Sequence, residues 1–109
     1  DFALAVKNAL NADVFCSLPE KEIKNVAVCG GSAAEYIETA KNEGADVFLT
    51  GEVKHHEILD ACDSDIAVIC AGHFETEIPA MRVLSEKLKK QFPEIDFIIS
   101  AQTSPIYRI

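Results

Sequence analysis

The stretch Ala45-Asp46-Val47-Phe48-Leu49-Thr50-Gly51-Glu52 is a continuous apolar run closed by a glycine and a carboxylate, and it decides the fold. A strand that is apolar at consecutive positions buries both of its faces, as strands of a helix-covered sheet do. The same pattern recurs on either side. Asn25-Val26-Ala27-Val28-Cys29 closes on Gly30-Gly31-Ser32, and Ile66-Ala67-Val68-Ile69-Cys70-Ala71 closes on Gly72-His73. Helical spacing fills the intervals. Ala33, Tyr36, Ile37 and Ala40 mark a helix from Ala33 to Glu43 that stops at Gly44. A second helix runs from about Lys54 to Cys62 with Ile58 and Leu59 facing inward, and a third from about Glu77 to Gln91. The third carries Ile78, Met81, Leu84, Leu88 and Phe92 at spacings of three or four, with Pro79 in its first turn. Ile95-Asp96-Phe97-Ile98-Ile99 reads as a fourth strand, followed by an irregular tail from Ser100.

Toward the amino end, Phe2, Val6 and Leu10 share one face of an opening helix ended by a turn at Asn11–Asp13. Val14-Phe15-Cys16 is a short strand, and Ser17-Leu18-Pro19-Glu20 is a connection. The alternation predicts an α/β fold: three α/β/α layers around a mainly parallel or mixed sheet. The expected organisation is one α/β unit over residues 1–109, with 1–23 as a lead-in.

The chain has 109 residues, the length of one ordinary domain, with 49% apolar and 26% charged residues. Ten basic against 18 acidic side chains give a net charge of −8. That balance argues against nucleic acid, whose binding needs clustered Lys and Arg, and against an anionic membrane surface. No apolar run reaches the roughly 18 residues of a membrane span, and no basic-then-apolar leader opens the chain. The expectation is a cytoplasmic protein. Cys16, Cys29, Cys62 and Cys70 form no C-x-x-C pair, so neither a zinc knuckle nor a redox dithiol is written here, and unpaired structural thiols are expected.

Ligands of parallel sheets bind beyond the carboxyl ends of the strands. Gly30-Gly31-Ser32, Thr50-Gly51-Glu52 with Lys54-His55-His56, Gly72 to Glu77, and Ser100 onward are all expected on that edge, which gathers the three histidines of the chain. His73 and Glu77 stand four apart and can aim at one spot, an imidazole and a carboxylate suited to a zinc, iron or manganese-type ion. The alternative for Glu77 is a carboxylate offsetting the positive end of a helix, with His73 an incidental loop residue. Two ligands do not close a metal site. Glu52 can supply another or serve as a helix-start carboxylate. His55 and His56 diverge by about 100° on a helix, so one faces the cleft at most, or both lie on its surface. Gly30-Gly31-Ser32 before a helix forms a candidate anion seat, without the G-x-G-x-x-G pattern or the Walker lysine.

Taken together, Val26 to Ser32, Gly44 to His56 and Ala71 to Glu77 resemble the carboxyl-terminal half of the GTP cyclohydrolase 1 type 2 homologue family, also called the NGG-one-interacting-factor-three-like proteins. The likeness extends from about Lys24 onward, and Thr-Gly-Glu-x-Lys-x-His with Gly-His-x-x-Thr-Glu are specific in combination. The resemblance implies two similar, interlocked α/β halves around a dinuclear centre of divalent metal ions, with His73 and Glu77 as metal ligands. It also implies further ligands from a His-His-Pro segment and an acidic residue of an amino-terminal half. Here His55-His56 is followed by Glu57, and the tail reads Gln102-Thr103-Ser104-Pro105-Ile106 where members commonly end near Asn-Thr-Asp-Pro-Phe. The missing amino-terminal half is therefore an implied partner, as is a ring-shaped homo-oligomer, commonly a hexamer.

The family name implies hydrolytic opening of the guanine ring of GTP. On that reading the protein is a metal-dependent hydrolase acting on a nucleotide or related anionic substrate. Glu52 and His56 are then the candidate catalytic residues, and Gly31, Ser32, Lys54 and His55 the candidate substrate contacts. The competing readings are a non-catalytic metal-binding regulatory or protein-interaction module, and a structural half that only completes a partner chain.

Overall fold

The computed structural model describes residues 2–17 and 22–106. Its elements, in chain order, are α1 (Phe2–Leu10), β1 (Phe15–Cys16), β2 (Val26–Val28), a 3₁₀ turn (Ala34–Tyr36), α2 (Ile37–Asn42), β3 (Val47–Thr50), α3 (His55–Asp63), β4 (Ala67–Cys70) and α4 (His73–Gln91). The sheet order is β1-β4-β3-β2. β2, β3 and β4 are parallel, while β1 joins the outer edge of β4 antiparallel, with Phe15 opposite Cys70. The mixed α/β sheet expected from the apolar runs is present. Leu18, Pro19 and Glu20 of the expected connection lie outside the described residues.

Burial of both sheet faces follows from the unbroken apolar strands. Phe48, Val68 and Cys70 point to one face, against Ile37 and Ala40 of α2 and Ala61 of α3. Val47, Leu49, Ala67 and Ile69 point to the other, against Val6 of α1. β3 and β4 are buried at every position. Both helices on the first face end in left-handed residues that satisfy the last carbonyls. After α2, Gly44 (φ +85°) donates to the Lys41 carbonyl and Ala45 to that of Ala40. After α3, Asp65 (φ +60°) donates to Cys62 and Ile66 to Ala61. This double bond pattern fixes the angle at which each chain enters the next strand.

Several sequence expectations change. Ile95–Ile99 forms no strand. The outer edge of β4 is already taken by β1, and residues 97–102 instead lie along α4, enclosing a groove of about 410 Å³ with Ile78, Met81 and Leu84. α4 begins at His73 rather than Glu77, so Pro79 is its seventh residue and the Glu75 carbonyl forgoes a helical partner. Leu59 is 52% exposed, and Ala61 is the α3 residue that reaches the core. Among the described residues no helix is long and apolar enough to cross a membrane.

Candidate functional site

The in-register pairing of β3 and β4, with Thr50 opposite Cys70, carries on past the strands. Gly72 N–H donates to the Gly51 carbonyl (3.1 Å), and Gly51 and Glu52 N–H both donate to the Gly31 carbonyl (2.9 and 3.1 Å). The three loops that leave β2, β3 and β4 therefore stack side by side. Glycine is required for this. A Cβ on Gly51 would lie 2.7 Å from the Gly31 carbonyl oxygen and 2.8 Å from His73 Cα. Gly31 has φ +73°, and a Cβ there would lie 2.7 Å from Glu77 Oε1. The first turns of α4 thus rest directly on the strand ends.

His73 and Glu77, one helical turn apart, meet as the i, i+4 spacing requires. His73 Nε2 lies 3.3 Å from Glu77 Oε1, and its Nδ1 lies 3.2 Å from Glu52 Oε2. The imidazole is held between two carboxylates, and all three side chains are about half exposed. The hydrogen bond to Glu52 raises the His73 pKa above its ordinary 6.5; desolvation opposes it, and the negative charges of Glu77 and Glu52 add to it. The donor types and spacing fit a divalent cation. Two ligands of a tetrahedral ion with bonds of about 2.0–2.2 Å are about 3.3–3.6 Å apart, which matches the His73–Glu77 separation. A carboxylate on the far ring nitrogen is the usual way a metal-binding histidine is oriented. Among the described residues, no group of three or more His, Cys, Asp and Glu is arranged to hold an ion, and His73 with Glu77 offers two donors, fewer than a closed metal site needs.

The other sequence candidates are distributed unevenly. Gly31 lies under Glu77, but its N–H is committed to Thr76 Oγ1 (3.0 Å), which leaves that amide unavailable to an anion. Ser32 is exposed and bridges to Glu52. Lys54, His55 and His56 are exposed at the start of α3, where the Lys54 N–H donates to Glu57 Oε2 (2.7 Å). They are not walls of the cleft of about 300 Å³ around His73, which Glu52, Phe74, Ser104, Pro105 and Ile106 help to form. The tail after Ser100 does reach the site, as a loop rather than from a fourth strand. Because α4 starts at His73, the acid of its first turn is Glu75 and Glu77 stands in the second, so the helix-end role passes to Glu75.

Thr76 was not singled out by sequence reasoning. Its signal was its place inside Gly-His-x-x-Thr-Glu, where a hydroxyl can bond the carbonyls of the preceding turn. All four cysteines are free, and burial raises the Cys70 thiol above its ordinary 9.0.

The chain is similar in sequence and fold to known proteins. The Duf34/NIF3 (NGG1p interacting factor 3) family model matches residues 1–105. A GTP cyclohydrolase 1 type 2 homologue of Clostridium acetobutylicum is 40% identical over 75 residues, which cover 69% of this chain and 28% of that protein. One of Pseudomonas aeruginosa is 36% identical over 92 residues, covering 84% and 36%. Among solved structures, hypothetical protein SA1388 of Staphylococcus aureus superposes with a TM-score of 0.88 at 34% identity, over 100% of this chain and 38% of that one. A Bacillus cereus protein related to NIF3 gives 0.79 at 27% identity, over 99% and 32%. The chain spans about a third of the length of these relatives. With its glycine-stacked loops and its Gly-His-x-x-Thr-Glu turn, the chain belongs to the Duf34/NIF3 family.

Proposed function

We propose that this chain supplies one wall of a divalent-metal centre in a metal-dependent hydrolase acting on a nucleotide or related anionic substrate. The observation that carries the reading is the convergence of His73 Nε2 and Glu77 Oε1 at 3.3 Å over Gly31, with Glu52 on the opposite ring nitrogen. His73 and Glu77 would hold one of two ions of zinc, iron or manganese type. The remaining ligands would come from an amino-terminal portion of a longer protein, consistent with relatives about three times as long. A bound divalent cation supplies a water that ionises near neutral pH and a Lewis acid at the bond to be cleaved. With Glu52 accepting from His73 Nδ1–H, Nε2 would be free to hold the ion. The Ser104–Pro105 segment forms one wall of the cleft. Closed rings of subunits, commonly hexamers, and a cytoplasmic location complete the reading; the free thiols accord with the latter.

A specific observation favours a second reading. Lys54, His55 and His56 lie outside the cleft walls, and Glu52 is engaged with His73. That is the arrangement of a metal-binding module without acid–base machinery of its own.

Mn²⁺ titration of the isotopically labelled chain tests the metal assignment. This hard ion is chosen because the exposed thiols of Cys16 and Cys62 would capture a softer one. Weak binding is expected, with paramagnetic broadening centred on His73 and Glu77 and lost in His73→Ala and Glu77→Gln. Broadening centred on His55–His56 or on the acidic surface of α2 and α3 would overturn it. In a full-length protein carrying this segment, metal-dependent turnover of GTP or another phosphorylated compound, abolished by Glu77→Gln, supports the hydrolase. Absence of turnover with metal bound leaves the module.

A further inference from the structure

We propose that Thr76 is a positioning residue for the metal-binding pair, its hydroxyl pinning the Gly31 peptide that forms the floor beneath Glu77 and His73. The inference rests on the metal-centre reading and assigns a role to a side chain that is itself no ligand.

Thr76 Oγ1 accepts the Gly31 N–H at 3.0 Å, across 45 residues of chain. Its single proton goes to the carbonyl of Gly72 (2.9 Å) or of His73 (3.0 Å). The hydroxyl therefore ties the loop after β2 to the first turn of α4. The other side of Gly31 is tied as firmly. Its carbonyl accepts from Thr50 Oγ1 (3.0 Å), a side chain with no exposed surface, and from the N–H groups of Gly51 and Glu52.

With both flanking peptide groups held, the φ of +73° at Gly31 is fixed, and so is the face its Cα turns toward α4. Glu77 Oε1 packs 2.7 Å from the point where a Cβ would stand, closer than a Cβ tolerates, and His73 Nε2 lies 3.4 Å from that same point. Thr76 precedes Glu77 in sequence and projects to a different side of the helix. It acts on the carboxylate through Gly31.

The test compares Thr76→Val, which keeps the shape and cannot accept a hydrogen bond, with Thr76→Ser, which keeps the hydroxyl. Ala61→Gly, in the core contact of α3, serves as a remote destabilised control. Three quantities are read on the 109-residue chain: hydrogen exchange at the Gly31 amide, the His73–Glu77 separation in a crystal structure without metal, and Mn²⁺ affinity. Thr76→Val is expected to expose the Gly31 amide to exchange, open the 3.3 Å pair and weaken Mn²⁺ about 10–100-fold. Thr76→Ser and Ala61→Gly should stay near the wild type in all three. An amide-to-ester replacement at Gly31 removes the same hydrogen bond from its donor and should likewise open the His73–Glu77 pair and weaken Mn²⁺, whether or not Thr76→Val folds.

The proposal is overturned if Thr76→Val or the ester retains the pair and the wild-type Mn²⁺ affinity. It is also overturned if Ala61→Gly weakens binding equally. If the wild-type chain takes no Mn²⁺ at His73, the metal-centre reading fails, while exchange and geometry still decide the role of Thr76.

Discussion

Gly31→Ala separates the conformational demand of the site from its steric demand, because Gly44 offers a matched control. Both glycines are left-handed, with φ of +73° and +85°. An alanine at either position costs about 1–2 kcal/mol for that backbone conformation. At about 4–8 °C per kcal/mol for a domain near this size, each variant should lose roughly 4–16 °C in Tm. The surroundings differ. A Cβ at Gly44 meets nothing within 4 Å, whereas one at Gly31 would lie 2.7 Å from Glu77 Oε1.

The Glu77 carboxylate is the half-exposed end of a flexible side chain, so the clash is relieved by moving it rather than by unfolding. A retreat of about 0.7 Å brings it to ordinary contact and carries the His73–Glu77 pair past the about 3.3–3.6 Å span of a shared ion. Thermal melts of the two variants should therefore agree to within a few degrees, while Mn²⁺ affinity falls at least about tenfold in Gly31→Ala alone. The measurements are calorimetric melting and Mn²⁺ titration by NMR broadening. Wild-type affinity in Gly31→Ala, or an equal loss in Gly44→Ala, would refute the argument that a bare Cα sets the position of the carboxylate.

Three other outcomes are expected. Mn²⁺ binding should weaken as pH falls through the raised pKa of His73, because the ion needs the neutral ring; Glu52→Gln should move the ring's NMR titration midpoint down toward 6.5, and a wild-type midpoint at or below 6.5 would contradict the arrangement. The stability linked to the protonated ring is present in full below about 6.5 and is lost as pH rises through the folded value. Thr50→Val deletes one of three donors to the Gly31 carbonyl and should cost about 0.5–1.5 kcal/mol in urea denaturation; a loss above about 3 kcal/mol would mean that the other two bonds depend on it. Iodoacetamide should modify the exposed Cys16 and Cys62 while Cys70, buried with its thiol pKa raised, reacts after unfolding; prompt labelling of Cys70 by mass spectrometry would place it outside the core.

The layered fold could be read from local pattern because its evidence is local. Val47 to Thr50 and Ala67 to Cys70 are apolar without alternation, and only a strand covered on both faces has use for that. Gly44 sits where the α2 helix must stop, and the pairing of His73 with Glu77 follows from four residues of helix. The errors share a cause as well. Ile95–Ile99 is as apolar as a strand, but a strand also needs an open edge, and β1 had closed the one beside β4. The start of α4 at His73 follows from Gly72 (φ +87°) serving as the N-cap directly at the strand end, where the hydrogen bond of Gly72 N–H to the Gly51 carbonyl sets it. Leu59 fits the period of α3 as well as Ala61 does, and the rotation of the helix on the sheet chose between them.

By itself, then, the sequence determined the α/β layering, the glycine turns beyond the three parallel strands, and the imidazole–carboxylate pair at positions 73 and 77. Each depends on neighbours a few bonds away, so composition and spacing carry it. Only the tertiary structure decided that Glu52 takes the far nitrogen of His73, that Thr76 reaches Gly31, and that Lys54, His55 and His56 stand clear of the cleft. Those relations join residues 21 to 45 apart, or separate residues close in sequence. They are fixed by the register of β3 on β4 and by the seat of α4 on the bare Cα atoms of Gly31 and Gly51, quantities that exist once the chain has packed.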